Sequence, residues 1–220
     1  MNEEKSLYFT TEEFMVLLEL ADGGDCCLLS TGTMPGTDAL TSAFTSLFQR
    51  DLIQQNGDRF VLSGAGKVFA NMRNAPLAVY ISNVSGKMSL CYADDGTFWL
   101  TELADAILST QYRIRKLDWA SLEQWLFDSG QLRVPVLTAE DVQEWDTLLA
   151  VEPDTISVRP ILRLEKHING GPIIGDYEVY KYRGRWRVRW DEGKQDLYYS
   201  KEALINMLTH CFGKEHYDCC

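Results

Sequence analysis

The sequence predicts an α+β protein: an antiparallel sheet with flanking helices, two pseudo-repeated halves and a winged-helix-like N-terminal segment. Three observations predict it. A unit of two strands joined by a tight Gly turn, a further extended segment and a capped amphipathic helix occurs twice, over residues 87–126 and 176–208. Apolar alternation marks its strands, with Met88, Leu90 and Tyr92 in the first copy and Trp186, Val188 and Trp190 in the second. Ahead of both copies, the order is helix, helix, short hairpin, helix.

Taken in order, Thr10 caps the first helix and Glu13, three residues on, closes a capping box, with Phe9 and Phe14 at the positions of a hydrophobic staple. Phe14, Leu17, Leu18 and Ala21 make its inner face, and Asp22, Gly23 and Gly24 end it. After a loop through Met34, Pro35 and Gly36, a second helix starts near Asp38. Leu40, Phe44, Leu47 and Phe48 give it an apolar stripe, and it runs out near Asp51. Leu52 and Ile53 begin a hairpin with Asn56 and Gly57 at its tip and Phe60, Val61 and Leu62 on the return. Ser63 opens a short helix bearing Val68, Phe69 and Met72, which stops before Pro76.

The first copy then turns at Asp94, Asp95 and Gly96, returns through Thr97–Leu103, and leads by Tyr112–Leu117 into a helix that Asp118 caps ahead of Leu122, Trp125 and Leu126. Pro135 marks a boundary. The N-terminal half is residues 1–133, of which 1–75 are winged-helix-like, and the C-terminal half is 134–220. Thr138 and Asp141 start a helix carrying Val142, Trp145, Leu148 and Leu149. Ser157–His167 alternates as a long strand, in which Pro160 calls for an edge or a bulge. Asn169, Gly170, Gly171 and Pro172 form a loop. In the second copy Tyr177 and Val179 lead to a turn at Arg183 and Gly184, and Ser200 caps a helix with Leu204, Ile205 and Leu208 inside. Without a long linker, the two halves are expected to form one compact body.

Composition narrows the class. The 220 residues are 45% hydrophobic and 11% aromatic, which excludes a disordered chain. The first residues are acidic and lack an apolar signal core, and no apolar run approaches the roughly 20 residues of a membrane span. A cytoplasmic protein without membrane insertion is the expectation. Six cysteines, at 26, 27, 91, 211, 219 and 220, form no disulfide framework and are read as reduced thiols. A net charge of −11 favours solubility and opposes non-specific binding to nucleic acid or anionic lipid.

Several features compete as sites. The winged-helix-like segment suggests DNA, but residues 1–75 carry five cationic side chains against ten acidic ones, the wrong sign for neutralising phosphates. The helix of residues 38–50 offers mostly Thr, Ser and Asp on its polar side. Arg185, Arg187 and Arg189 alternate on one face of a strand, and with Tyr180 and Tyr182 they are the candidate partner-binding residues. A two-residue turn at Arg183 and Gly184 sets Arg187 across from Tyr180 and Arg189 across from Glu178, which also accommodates a plain reading: a cation–π contact and an ion pair on a solvated face. The Trp186, Val188 and Trp190 face is read as core. His210, Cys211, His216, Cys219 and Cys220 cluster without any zinc spacing, so no metal is expected. No nucleophile elbow, phosphate loop, dinucleotide fingerprint or HExxH occurs, and Asp94 with Asp95 is explained by turn chemistry. No catalytic residues and no cofactor are expected.

The order of elements resembles the EspG-like family of ESX or type VII secretion-associated chaperones. Carrying the comparison are Phe9–Leu20 as the opening helix, Leu47–Ile53 as a helix ending in a leucine-containing turn, and Ala70–Pro76 as a short arm. The strands of Leu77–Tyr92, the acidic turn after them and the Leu117–Leu126 helix continue it. The likeness spans about the first 130 residues, and the second copy fits the family's pseudo-twofold design. The resemblance implies a cytosolic, non-enzymatic protein that keeps helical secretion substrates soluble. Long C-terminal helices are missing, since residues 155–199 read mainly as strands, so no binding residues are transferred. The expected function is therefore a protein-binding adaptor or chaperone, with type VII substrates as its implied cargo. The alternative is a winged-helix transcriptional regulator whose C-terminal half senses a ligand or dimerises.

Overall fold

In chain order the computed structural model contains β1 (Leu7–Thr10), α1 (Thr11–Leu20), α2 (Thr37–Gln49), β2 (Ile53–Asn56), β3 (Arg59–Leu62), a 3₁₀ turn (Gly64–Lys67), α3 (Val68–Asn74) and β4 (Leu77–Asn83). It continues with β5 (Met88–Asp94), β6 (Thr97–Ala104), β7 (Gln111–Leu117), α4 (Trp119–Asp128), β8 (Leu162–Ile168), β9 (Ile173–Tyr182), β10 (Arg185–Trp190), β11 (Gln195–Tyr198) and α5 (Lys201–Phe212). The structure describes residues 6–21, 35–83, 88–104, 111–128, 160–182, 185–190 and 195–212. The architecture is α+β with antiparallel strand pairing. Both sequence copies are realised, as β5–β6–β7–α4 and β9–β10–β11–α5.

The chain divides into two units whose segments alternate along the sequence. Among described residues the first unit takes 6–21, 35–78, 89–104, 111–117 and 168–171, and the second takes the remainder. Pro135 and the helix expected over residues 138–150 lie outside the described residues.

In the first unit the strand order is β1-β7-β6-β5, every pair antiparallel. Strand β1 was not expected: Leu7, Tyr8 and Phe9 pair with Ile114, Arg113 and Tyr112 directly before the helix cap. The capping box forms as read, with Glu13 N–H donating to Thr10 Oγ1 at 3.2 Å and Thr10 N–H donating to Glu13 Oε2 at 3.0 Å. Glu13 is only 5% exposed, so its charge needs more than a cap. Ser46 Oγ donates to Oε1 at 2.6 Å, Arg50 Nη1 lies 3.0 Å from both oxygens, and Arg50 Nη2 donates to Tyr8 O at 2.8 Å. One carboxylate thereby joins β1, α1 and α2. Below it, Phe69 of α3 packs edge-on against both staple residues, 5.3 Å from Phe9 and 5.2 Å from Phe14, and Phe14 stacks on Tyr112 of β7.

The hairpin differs from its expected form by one residue. Asn56 pairs with Arg59, so Gly57 and Asp58 make the turn, with Gly57 at φ +62. A positive φ at the first turn position is what Gly supplies without strain, so the Gly sets the register and Asn56 stays in the strand. The turn after β5 follows the sequence: Asp95 and Gly96 have φ of 42 and 71, as a type I′ hairpin requires. Gly66 is needed for closeness, since a Cβ there would lie 2.1 Å from Leu52 O. The segment read only as a loop contributes a cap. Asn169 Nδ2 donates to the carbonyls of Met72, Arg73 and Ala75 at 2.8–3.0 Å, and its N–H donates to Pro76 O at 3.1 Å. These bonds serve the acceptors that the end of α3 leaves open.

In the second unit the strand order is β4-β8-β9-β10-β11, with β8 to β11 pairing antiparallel. The irregularity expected at Pro160 is corrected: β8 begins only at Leu162, past the proline, and the bulge falls between Lys166 and His167. Pro160 lacks the N–H a ladder needs, so pairing starts beyond it. Asp118 and Ser200 cap their helices as read, accepting from Ser121 N–H at 2.8 Å and Ala203 N–H at 3.0 Å. Leu122, Trp125 and Leu126 of α4 and Leu204, Met207 and Leu208 of α5 are buried, and Trp119 meets Phe212 edge-on at 6.3 Å. Tyr177 and Lys166 both reach His210 of α5, so the face with Leu164, Val179 and Val188 is the one the helix covers. Among described residues, no helix is long and apolar enough to cross a membrane.

Two outcomes follow for stability. Glu13→Ala should cost about 2 kcal/mol in urea unfolding, because it removes a cap and charge-assisted bonds, while Glu12→Ala stays within about 0.5 kcal/mol. The Ser121 N–H bond lowers the Asp118 pKa from 3.8, so this carboxylate's contribution is complete above that value and is lost as pH falls through its folded pKa. Asp118→Asn keeps a cap but not the charge. Its deficit, about 0.5 kcal/mol at pH 7, should shrink as pH falls below 3.8, and a pH-independent gap contradicts this account.

Candidate functional site

The register expected for the arginine strip is the register found. Arg187 pairs with Tyr180, Arg189 with Glu178 and Arg185 with Tyr182. The Arg187 and Arg189 guanidiniums lie 5.8 and 5.0 Å from the Tyr180 ring centroid, and Arg189 donates to Glu178 through Nε at 3.1 Å and through Nη2. On β8, Arg163 grips Asp176 with two bonds of 3.0 and 2.7 Å, lies 3.1 Å from Glu165 and 3.9 Å from Glu178. Those carboxylates, Asp176 first, raise the Arg163 pKa against the opposing effect of burial. Arg163, Glu178 and Arg189 thus form one row across three strands. The expectation of a solvated face is corrected at two positions: Arg187 is 5% exposed and Tyr180 4%. Alternation fixed which residues share this face, but burial depends on what packs over it. The side chains of Arg185 and Tyr182 lie outside the described set.

Among the described residues, the exposed aromatic rings are Tyr8 of β1, Phe48 of α2 and Phe60 of the hairpin. Of the expected stripe, Leu47 is buried together with Ala43, Leu40 and Phe44 are half-buried, and Phe48 is 53% exposed. Ala43 and Leu47 make the buried side of α2, and Phe44, next round the helix, meets the hairpin. Phe60, 42% exposed, meets Phe44 at 5.4 Å, and Phe48 stays exposed. Beside these rings, Thr41 Oγ1 donates to Thr37 O and Thr45 Oγ1 to Thr41 O, each at 2.9 Å. Hydroxyls bonded to their own helix have less to offer a polar ligand, so the face is more apolar than its composition.

This face was missed because Phe48 completes a helical stripe on paper and Phe60 completes a strand. A signal was present in the polar run Gln54, Gln55 and Asn56 opposite Phe60, which leaves the hairpin tip without a core to join.

Other chemistry is quieter. A cleft of about 350 Å³ between α1 and α2 is lined by small side chains, Ala39, Ser42, Ala43 and Ser46, with Thr10, Glu12 and Glu13, and Glu13 is fully engaged. Among the described residues no group of three or more His, Cys, Asp or Glu could hold a metal ion. Of the C-terminal cluster only His210 and Cys211 are described. His210 Nδ1 lies 3.0 Å from Tyr177 Oη and its carbonyl accepts from Lys166 Nζ at 3.1 Å. Burial pushes the Cys211 thiol up strongly, with Lys166 opposing, and pushes Tyr199 up to about 12. The sequence matches no family model, and no curated protein matches it.

Cys91 and Cys211 are both buried. Iodoacetamide mapping of the native protein should leave both unmodified until denaturant is added; rapid native labelling of Cys211 would contradict its burial.

Proposed function

We propose that this is a protein-binding adaptor or chaperone that works in the cytoplasm without catalysing a reaction. The observation that carries the reading is the exposed face of α2. In a winged-helix regulator the corresponding helix enters the major groove and needs cations for phosphates. Here Thr37–Gln49 contains no Lys or Arg, and it presents Phe48, with Phe60 beside Phe44, next to threonines whose hydroxyls are already bonded. Apolar rings in a polar surround suit the centre of a protein interface, where aromatic anchors supply most of the affinity. The likeness to EspG-like chaperones supports the finer proposal, a role in holding helical type VII secretion substrates soluble.

Capture of the tagged chain from lysate of its source cells, with nuclease and low salt, tests the reading. Retention of small helical proteins or secretion ATPase components, reproducible with purified candidates, is the expected outcome. Retention of DNA when nuclease is omitted, with no protein, would replace the adaptor by a regulator.

A further inference from the structure

We propose that α2 and the β2–β3 hairpin form a docking face for an amphipathic helix of a partner protein whose apolar stripe is flanked by lysine or arginine. The proposal rests on the protein-binding reading and specifies the partner's chemistry.

The centre of the face is apolar and linear. Leu40, Phe44 and Phe48 recur at intervals of four along α2, a stripe of about 12 Å, or just over two helical turns. Phe60 rises beside Phe44 from the hairpin and gives the stripe a wall. A stripe with one wall matches a helix laid in a groove, read by anchors at i, i+4 and i+7.

The rim is acidic. Asp38, Asp51 and Asp58 are exposed, and each stands within three residues of Leu40, Phe48 or Phe60. Between Thr37 and Leu62 the cations are Arg50 and Arg59. Arg50 is committed to Glu13 and Tyr8 O, and Arg59 lies on the opposite side of its strand from Phe60. Over Thr37–Leu62, three exposed carboxylates thus stand against two guanidiniums, one of them engaged with Glu13. A second copy of this chain would bring the same rim and repel it, as would DNA or an anionic membrane. Complementarity selects a basic flank on the partner.

The test uses the full chain and two fluorescent amphipathic peptides of about 14 residues with the same leucine stripe, one flanked by lysine and one by glutamate. In about 0.15 M salt, anisotropy should show the leucine–lysine peptide binding at least tenfold more tightly than its glutamate counterpart. Phe48→Ser and Phe60→Ser, which leave the charge unchanged, should each weaken it about tenfold or more. Asp51→Asn with Asp58→Asn should weaken it about threefold and flatten its salt dependence. Both rings are about half in water, so melting curves should move less than for a core substitution.

Equal binding by wild type and Phe48→Ser, or by the two peptides, overturns the proposal. So does a concentration-dependent dimer that Phe48→Ser abolishes, which gives the face to a second copy. Capture with the Phe48→Ser, Phe60→Ser chain separates the two levels. Retention of the same proteins as wild type removes the face and keeps the adaptor, whereas a wild-type chain that retains no protein removes both.

Discussion

The buried carboxylate of Glu13 is the constraint on which the first unit turns. A carboxylate taken out of water costs several kcal/mol unless its charge and lone pairs are met. Here Thr10 N–H, Ser46 Oγ and Arg50 meet them, and Arg50 carries the link on to the carbonyl of Tyr8. The geometry that satisfies the charge also fixes α2 against α1 and β1. With Ala43 and Leu47 buried in that arrangement, Phe44 packs on Phe60 of the hairpin and Phe48 stays exposed. The exposed aromatic face is a consequence of how the helix is held.

Four further arginines are spent in a similar way. In the first unit Arg113 and Arg115 both bond Glu102 at 2.8 Å, across the β6–β7 pair. The second unit repeats the theme with Glu178 between Arg163 and Arg189. Guanidiniums engaged with carboxylates on a sheet face give little attraction to phosphate, in keeping with a chain of net charge −11.

What could be read from the sequence was local in origin. The Thr10–Glu13 box, the Asp118 and Ser200 caps and the Asp95–Gly96 turn each depend on residues within four positions, and each formed as written. The pairing of Arg187 with Tyr180 followed from a turn of two residues. Features that depend on distant partners were not legible. Strand β1 exists because β7 offers an edge, Asn169 is a cap only because α3 ends beside it, and Arg187 is buried by packing that alternation does not encode. The candidate face belongs to this second group. Phe48 and Phe60 have the spacing of core residues, and spacing does not say whether another element covers them.

The central claim is that recognition takes place on α2 and the hairpin. Hydrogen–deuterium exchange of the full chain, with and without a protein partner identified by capture, measures this most directly. The account predicts that exchange slows across residues 37–62 in the complex and stays unchanged across 173–190. Slowing confined to 173–190, with α2 and the hairpin unaffected, would move the interface to the arginine strip and contradict it.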